Sequence, residues 1–130
     1  MNTITSKDWS KVIAEVVGTF FFFFIGIGSV LFAGNAGVLY VALAHGLALA
    51  VAISALGHIS GAHFNPAVTI SLLVARKITP ILSVLYIVGQ IVGGVLACLA
   101  LLVAIPNAST LETLETLPGA LIEINKMNRS

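Results

Sequence analysis

Two long apolar segments of the chain are separated by residues 58–67, which read His-Ile-Ser-Gly-Ala-His-Phe-Asn-Pro-Ala. A further apolar run begins at Pro66 and ends near Ala75, which is too short for a bilayer that takes about 20 helical residues. Asn65 is a favoured N-cap residue, and proline suits the first helical position. Residues 58–75 therefore predict an irregular segment followed by a half-helix. Irregular backbone at membrane depth is tolerated only inside protein or beside a water-filled cavity.

The composition around this stretch is that of a membrane protein. Hydrophobic residues make up 58% of the 130 residues and charged residues only 8%, whereas a soluble domain has roughly 25% charged residues. Mean hydropathy is +1.10, so we expect membrane lipid to be the solvent of the folded chain. The net charge of +1 indicates no nucleic-acid partner. The single cysteine, Cys98, excludes an internal disulfide.

Three apolar segments are long enough to span a bilayer. They run from Val12 to Ala33, from about Val38 to Gly57, and from Pro80 to about Ile105. We therefore expect an all-α membrane protein with three transmembrane helices and one re-entrant half-helix. The chain then divides into an N-terminal segment (1–11), a three-span unit (12–105) and a last segment (106–130) with an outer loop.

The positively charged residues predict the orientation of this unit. Lys7 and Lys11 precede the first span, and Arg76 and Lys77 follow the half-helix. The connections 34–37 and 106–118 contain no Lys or Arg. The positive-inside rule therefore predicts a cytoplasmic N-terminus, and a half-helix that starts and ends on the cytoplasmic side. We expect a multi-pass protein of the cell membrane.

A half-helix that begins inside a membrane has a defined chemistry. Its N-terminus presents unpaired N–H groups and about +0.5 of an elementary charge, which repels protons and cations. The side-chain amide of Asn65 is a candidate donor to a passing water molecule, and the carbonyl groups of Gly61, Ala62 and His63 are candidate acceptors. Such a path passes neutral, hydrogen-bonding molecules and excludes ions. The alternative is that Asn65 is only a structural cap.

Several further motifs stand in register with this stretch. They are residues 14–19 (AEVVGT), 26–29 (GIGS), 44–47 (AHGL), 57–69 and 86–90 (YIVGQ), with Gly94. Over residues 11–105 the chain resembles the first half of an aquaporin, a member of the major intrinsic protein family. The resemblance implies the first of two inverted repeats in a channel of six spans and two half-helices, with four subunits. Asn65, Pro66 and Ala67 match the first Asn-Pro-Ala motif.

The resemblance also suggests residues of a selectivity filter. His45 falls at the second-span position of the family's aromatic/arginine filter, where it resembles the tonoplast intrinsic type. That type implies a polar filter that admits ammonia or urea besides water, whereas the alternative is a buried histidine satisfied by neighbouring helices. Leu49, one turn later, would share the face of His45. Phe22 would be a pore-wall residue, with core or lipid contact as the alternative.

Glu15 is an ionisable residue inside a span and therefore a functional candidate. It resembles the family's brace carboxylate, which accepts hydrogen bonds from backbone N–H groups of the re-entrant loop; a proton relay is the alternative. We expect Gln90 to form hydrogen bonds between helices. His45, His58 and His63 have no cysteine or carboxylate at a ligand spacing, so we expect no metal site. We also expect no cofactor and no enzyme activity, because no nucleophile–base or carboxylate pair occurs.

The end of the chain departs from the family pattern. Residues 118–124 (PGALIEI) resemble the start of a fourth span and are similar to residues 12–16, but residues 125–130 (NKMNRS) break the apolar pattern. We interpret this as a chain cut off early. The predicted function is a channel for water, with ammonia, urea and glycerol as further candidates, that requires a second half before it forms a homo-oligomer. The alternative is a non-conducting fragment that associates with other channel subunits through its glycine-rich faces.

Overall fold

A computed structural model describes residues 4–33 and 37–104. It contains four helices: α1 (Ser6–Phe32), α2 (Gly37–Ser60), α3 (Pro66–Val74) and α4 (Pro80–Ala104). The first, second and fourth are long and apolar enough to cross a membrane, and α3 is not. The predicted fold of three spanning helices and one half-helix is therefore confirmed. The predicted outer loop and start of a fourth span, in segment 106–130, lie outside the described residues.

Helix α1 begins at Ser6, several residues before the predicted Val12. The reason is a polar helix start that hydropathy does not detect. The carboxylate of Asp8 accepts hydrogen bonds from the backbone N–H of Thr5 at 3.0 Å and from its hydroxyl at 2.7 Å. Lys11 pairs with the same carboxylate at 2.9 Å. Such reciprocal contacts at a helix start satisfy N–H groups that have no partner within the helix.

Contacts between the helices show which of them run parallel and which antiparallel. Along α1, Glu15 contacts Ser60 at the end of α2, whereas Gly26 lies against His45 near the middle of α2. Helices α1 and α2 are therefore antiparallel. Along α4, Gly89 lies beside Val12 and Val16 of α1, and Leu101 lies beside Gly28. Helices α1 and α4 are therefore parallel, and α1 is packed between α2 and α4.

Helix α3 begins near the middle of this bundle. Phe64, two residues before α3, lies against Gly18 of α1. Gly18 is 12 positions after the first residue of α1, or roughly 18 Å at 1.5 Å per residue, and α1 has 27 residues. From there α3 leads through Arg76 to Pro80, the start of α4, on the side where α1 also begins. The half-helix thus enters and leaves on one side, as a re-entrant segment does.

The interior of the molecule is more polar than its surface. The most deeply buried side chains include Glu15, Thr69, Ser83, Tyr86 and Gln90, each 2% exposed or less. By contrast, large apolar side chains such as those of Leu102 and Val103 are 73% and 88% exposed. In water this would be unfavourable, because apolar surface is best removed from water. In lipid it is the expected arrangement, because the polar groups find partners inside the protein.

A close approach of α4 to α1 depends on glycine. A methyl group at Gly93 would overlap the backbone carbonyl oxygen of Val16 and lie 3.2 Å from the backbone nitrogen of Phe20. At Gly89 it would come within 3.1 Å of the Val16 side chain. This agrees with the small-xxx-small pattern of close helix packing in membranes. Both glycines are buried where α4 contacts α1, so they do not form an exposed surface for other subunits.

Candidate functional site

The N-terminus of α3 is capped by Asn65 in extended backbone geometry (φ −155°, ψ 127°). Its side-chain oxygen accepts a hydrogen bond from the N–H of Ala67 at 2.8 Å, and Pro66 occupies the first helical position. Because the cap uses only the oxygen, the amide nitrogen keeps two N–H donors. Asn65 and Ala67 are both exposed on the surface of the chain, so these donors are accessible near the middle of the bundle.

Glu15 connects α1 to the segment that precedes α3. Its carboxylate is 0% exposed. One oxygen accepts hydrogen bonds from the Ser60 hydroxyl at 2.6 Å and the backbone N–H of His63 at 2.9 Å. The other accepts from the backbone N–H of Phe64 at 2.7 Å and the Gln90 side-chain amide at 2.8 Å. Hydrogen bonds to an ionised carboxylate are stronger than neutral ones.

The backbone between α2 and α3 is irregular over residues 61–65 only, because α2 continues to Ser60 and includes the first three residues of the predicted irregular segment. Gly61 has φ +90°, and Ala62 and Phe64 have φ +52° and +47°, a left-handed region that costs side-chain-bearing residues of order 1 kcal/mol or more. Among the described residues, no hydrogen bond is made to the carbonyl oxygens of Gly61, Ala62 or His63. These three predicted acceptors are thus unpaired within the described part of the chain.

His63 has its side chain inside the protein. Its Nδ1 lies 3.0 Å from the hydroxyl of Thr69, and its ring packs edge-on against Tyr86 with centroids 5.0 Å apart. Gln90 donates to the same Thr69 hydroxyl at 3.0 Å, and the Tyr86 hydroxyl donates to the carbonyl of Ser60 at 2.8 Å. Only the backbone of His63, not its ring, is therefore positioned to contact a solute beside α3.

His45 lies at a different level of the bundle. It is beside Gly26, eight positions beyond Gly18 on α1 and hence roughly 12 Å farther along its axis. Its Nδ1 is 2.8 Å from the carbonyl oxygen of Val41. A carbonyl only accepts, so Nδ1 carries the hydrogen, and in the neutral ring Nε2 is left as an acceptor.

The two other predicted wall residues, Phe22 and Leu49, also lie close to His45. The ring of Phe22 packs edge-on against the His45 imidazole, with centroids 5.8 Å apart, and Phe22 is half-buried. Leu49 follows His45 by one turn of α2 and is also half-buried. The structure therefore brings Phe22 and His45 together, two turns of α1 away from Glu15.

The polar interior is completed by Ser60, Thr69 and Tyr86, which lie within the motifs 57–69 and 86–90 but had no predicted role. A single hydroxyl in an apolar helix gives no directional signal, because it can also bond to the backbone of its own helix. Thr69 does have one indicator, since it stands four positions after the Asn65 cap and therefore on the same face of α3. Its hydroxyl is 3.2 Å from the carbonyl of Asn65.

The described part of the chain has a polar interior, an apolar surface and three spanning helices. It also has a capped half-helix that begins near the middle of the bundle. These features define an integral membrane protein with a re-entrant segment. The chain belongs to the Major intrinsic protein family, whose family model matches residues 2–127. The predicted family resemblance is therefore confirmed.

Three relatives illustrate the range of the family that the chain is similar to. It is 42% identical over 102 residues to the lens fiber major intrinsic protein of Lithobates pipiens, and the aligned region covers 77% of this chain and 39% of the relative. It is 44% identical over 99 residues to aquaporin TIP4-4 of Zea mays, where the aligned region covers 69% of this chain and 39% of the relative. It is 45% identical over 98 residues to aquaporin Z of Photorhabdus laumondii, covering 72% and 42%. The chain thus matches about two fifths of the length of these relatives.

Proposed function

We propose that this chain is one half of a membrane channel for water, and that it conducts when a second polypeptide unit completes the pore. The observation that carries the proposal is the N-terminus of α3, which presents the free amide of Asn65 near the middle of the bundle. The positive end of the helix dipole at this point disfavours cations. Ammonia, urea and glycerol are further candidate solutes, since all three are neutral and form hydrogen bonds.

The remaining site residues have proposed roles that follow from their positions. Glu15 is the brace, because it accepts hydrogen bonds from the two backbone N–H groups that lead into Asn65. It has four donors around it and no neighbouring acid among its hydrogen-bond partners, which favours the brace over a proton relay. The free carbonyl groups of Gly61, Ala62 and His63 are the acceptors along the path.

His45 and Phe22 are proposed to form a second, narrower level of the pore wall. Nε2 of His45 has no hydrogen-bond partner among the described residues, and it faces Gly26 of α1. This supports a polar filter of the tonoplast intrinsic type. Leu49 contributes an apolar surface on the following turn of α2.

The proposed orientation places the N-terminus and Arg76-Lys77 in the cytoplasm of a cell whose surface membrane contains the protein. The parallel packing of α1 and α4 supports it, because it brings Lys7, Lys11, Arg76 and Lys77 to one end of the bundle. All four positive charges then lie on the same side of the membrane, which the positive-inside rule assigns to the cytoplasm. In the family, the completed unit is expected to form a homotetramer, and we extend that expectation to this protein.

The alternative function, a non-conducting unit that associates with other channel subunits, has one observation in its favour. A groove of about 500 Å³ runs between α1 and α2 and is lined by apolar residues, among them Phe21, Ile25, Ala48 and Ala52. Small residues at such a surface permit close helix contact in membranes. This surface, rather than the glycines of α4, is where such an association would occur.

Osmotic water permeability of reconstituted liposomes distinguishes the two functions. We expect the chain alone to give stopped-flow shrinkage no faster than protein-free vesicles, because one half-helix does not enclose a pore. Co-reconstitution with the complement, defined as the part of the Photorhabdus laumondii aquaporin Z outside its 98-residue match, should raise the rate several-fold. Vesicles with the complement alone are the control.

Either of two results would contradict the proposal. A large, reversible permeability of the chain by itself would mean that no second unit is required. A rate that stays at background when the two polypeptides demonstrably associate would favour the non-conducting unit.

A further inference from the structure

Gly26 of α1 gives room to the imidazole ring of His45. A methyl group at Gly26 would lie 2.7 Å from Nε2, 2.8 Å from Cδ2 and 3.2 Å from Cε1 of that ring. These distances are shorter than ordinary van der Waals contact, so the imidazole fits here only beside a glycine. Glycine inside a helix is unfavourable relative to alanine, so a buried glycine in α1 indicates a packing reason. We name this space the Gly26 recess.

Contacts on both helices hold the imidazole in the Gly26 recess. Its Nδ1 lies 2.8 Å from the carbonyl oxygen of Val41, one turn earlier on α2. Phe22 stands one turn before Gly26 on α1 and hence on the same face, and its ring packs edge-on against the imidazole with centroids 5.8 Å apart. The backbone of the recess has a partner of its own, because the Ser29 hydroxyl donates to the Gly26 carbonyl oxygen at 2.6 Å. The position of the ring therefore depends on α1 as well as on α2.

The Gly26 recess determines how far the imidazole extends from α1. Ordinary contact begins at 3.4 Å, so a methyl group at Gly26 would displace Nε2 by about 0.7 Å from its distance of 2.7 Å. The displaced atoms are the far end of a side chain and can rotate away, whereas a methyl group at Gly93 would meet the backbone of Val16. A methyl group at Gly26 therefore moves the imidazole and leaves the two helices in place.

We propose that Gly26 is a positioning residue of the pore wall, and that it admits solutes larger than water by giving the imidazole of His45 room against α1. A narrow pore selects by its diameter and by the hydrogen-bonding groups that line it, so a ring displaced by a fraction of an ångström changes which small molecules pass. The solute class is that of urea, which is neutral, planar and wider than water. The inference rests on the proposed function, in which His45 and Phe22 form the narrower level of the pore wall.

The test compares urea and water permeability on the same liposomes, which contain the chain and the complement. Gly26→Ala should lower urea permeability about ten-fold and water permeability less than about two-fold, because a narrower passage raises the barrier most for the wider solute. Unfolding in dodecyl sulfate should remain close to that of the original chain. The matched control is Gly28→Ala on the same helix, whose methyl group would only contact a methyl of Leu101 on α4 at 3.4 Å. It should leave both permeabilities unchanged.

A second substitution separates the positioning of the ring from the packing of the helices. In a His45→Ala background, a methyl group at Gly26 has no ring to displace. Gly26→Ala should then change the ratio of urea to water permeability by less than about two-fold, since the two effects are coupled through one contact. A disturbance of helix packing would persist without the ring. An equal fall of the ratio in both backgrounds would therefore overturn the positioning role.

A measurement on the chain alone tests the Gly26 recess without conduction. In detergent micelles we expect nuclear Overhauser effects between the Hα protons of Gly26 and the Hδ2 and Hε1 protons of His45, and their absence would overturn the recess. Their presence, with background permeability to both solutes when the complement is added, would overturn the proposed function and the inference with it. Water permeability with urea at background, or a ratio that Gly26→Ala leaves unchanged, would overturn the inference alone.

Discussion

Glu15→Ala is expected to destabilise the chain by about 4 kcal/mol or more, because it leaves four buried donors without an acceptor, each worth about 1–3 kcal/mol. Two of these donors are the backbone N–H groups of His63 and Phe64. Phe64 also has a left-handed backbone conformation, which the variant would no longer stabilise. The segment that leads into Asn65 should therefore lose its conformation even where the spanning helices persist.

Two measurements check this expectation. Unfolding by dodecyl sulfate in mixed micelles can be followed by near-ultraviolet circular dichroism of Tyr86, which is 1% exposed. Amide hydrogen exchange should increase at His63 and Phe64 before it increases in α4. Glu15→Gln keeps one acceptor oxygen and should have an intermediate effect. Asp8→Asn, an acid at the exposed start of the same helix, is the control. Native exchange at both amides in Glu15→Ala would contradict the brace.

Gly93→Ala is expected to have the second large effect. The added methyl group meets backbone atoms of Val16 and Phe20, which cannot rotate away as a side chain can. Helices α1 and α4 must then separate, and overpacking of this kind costs typically 1–3 kcal/mol. The separation would also weaken the hydrogen bond of Gln90 to Glu15, which joins the same two helices.

The glycines of α4 provide a graded control. At Gly89 the nearest atom to an added methyl is a side-chain carbon of Val16 at 3.1 Å, and at Gly94 it is a ring carbon of Phe23 at 4.0 Å. The loss of stability in the same dodecyl sulfate titration should therefore fall in the order Gly93→Ala, Gly89→Ala, Gly94→Ala, with the last near zero. Equal effects at Gly93 and Gly94 would contradict the close approach of the helices.

The spanning helices and the half-helix could be predicted because their signals are local. Twenty or more apolar residues in a row have few alternatives to a spanning helix, and Asn65-Pro66 is a local helix start. The start of α1 at Ser6 was not predicted, because hydropathy alone does not detect a polar helix cap such as the pair Thr5 and Asp8. Local chemistry, rather than tertiary structure, determines all of these features.

The polar interior could be predicted only in part. Glu15 stands out because a carboxylate inside a span needs partners, but its partners come from positions 45 to 75 residues away in the sequence. Nothing local indicates that Ser60 and Tyr86 point inward rather than to their own helices, and Thr69 has only its spacing from Asn65 as an indicator. Likewise, the inward position of the His63 ring follows from its contact with Tyr86, a residue of another helix.

In the proposed channel, α3 begins at the wall of a water path near the middle of the membrane. Its direct test is Asn65→Cys in a Cys98→Ser background, reconstituted with the complement and treated with methyl methanethiosulfonate, a small and neutral thiol reagent. We expect modification of residue 65 and a loss of most of the water permeability. Val92→Cys, at an exposed apolar position of α4, is the unreactive control, because a thiol in apolar surroundings does not form the reactive thiolate. Failure of the reagent to reach residue 65, with permeability intact, would contradict the claim.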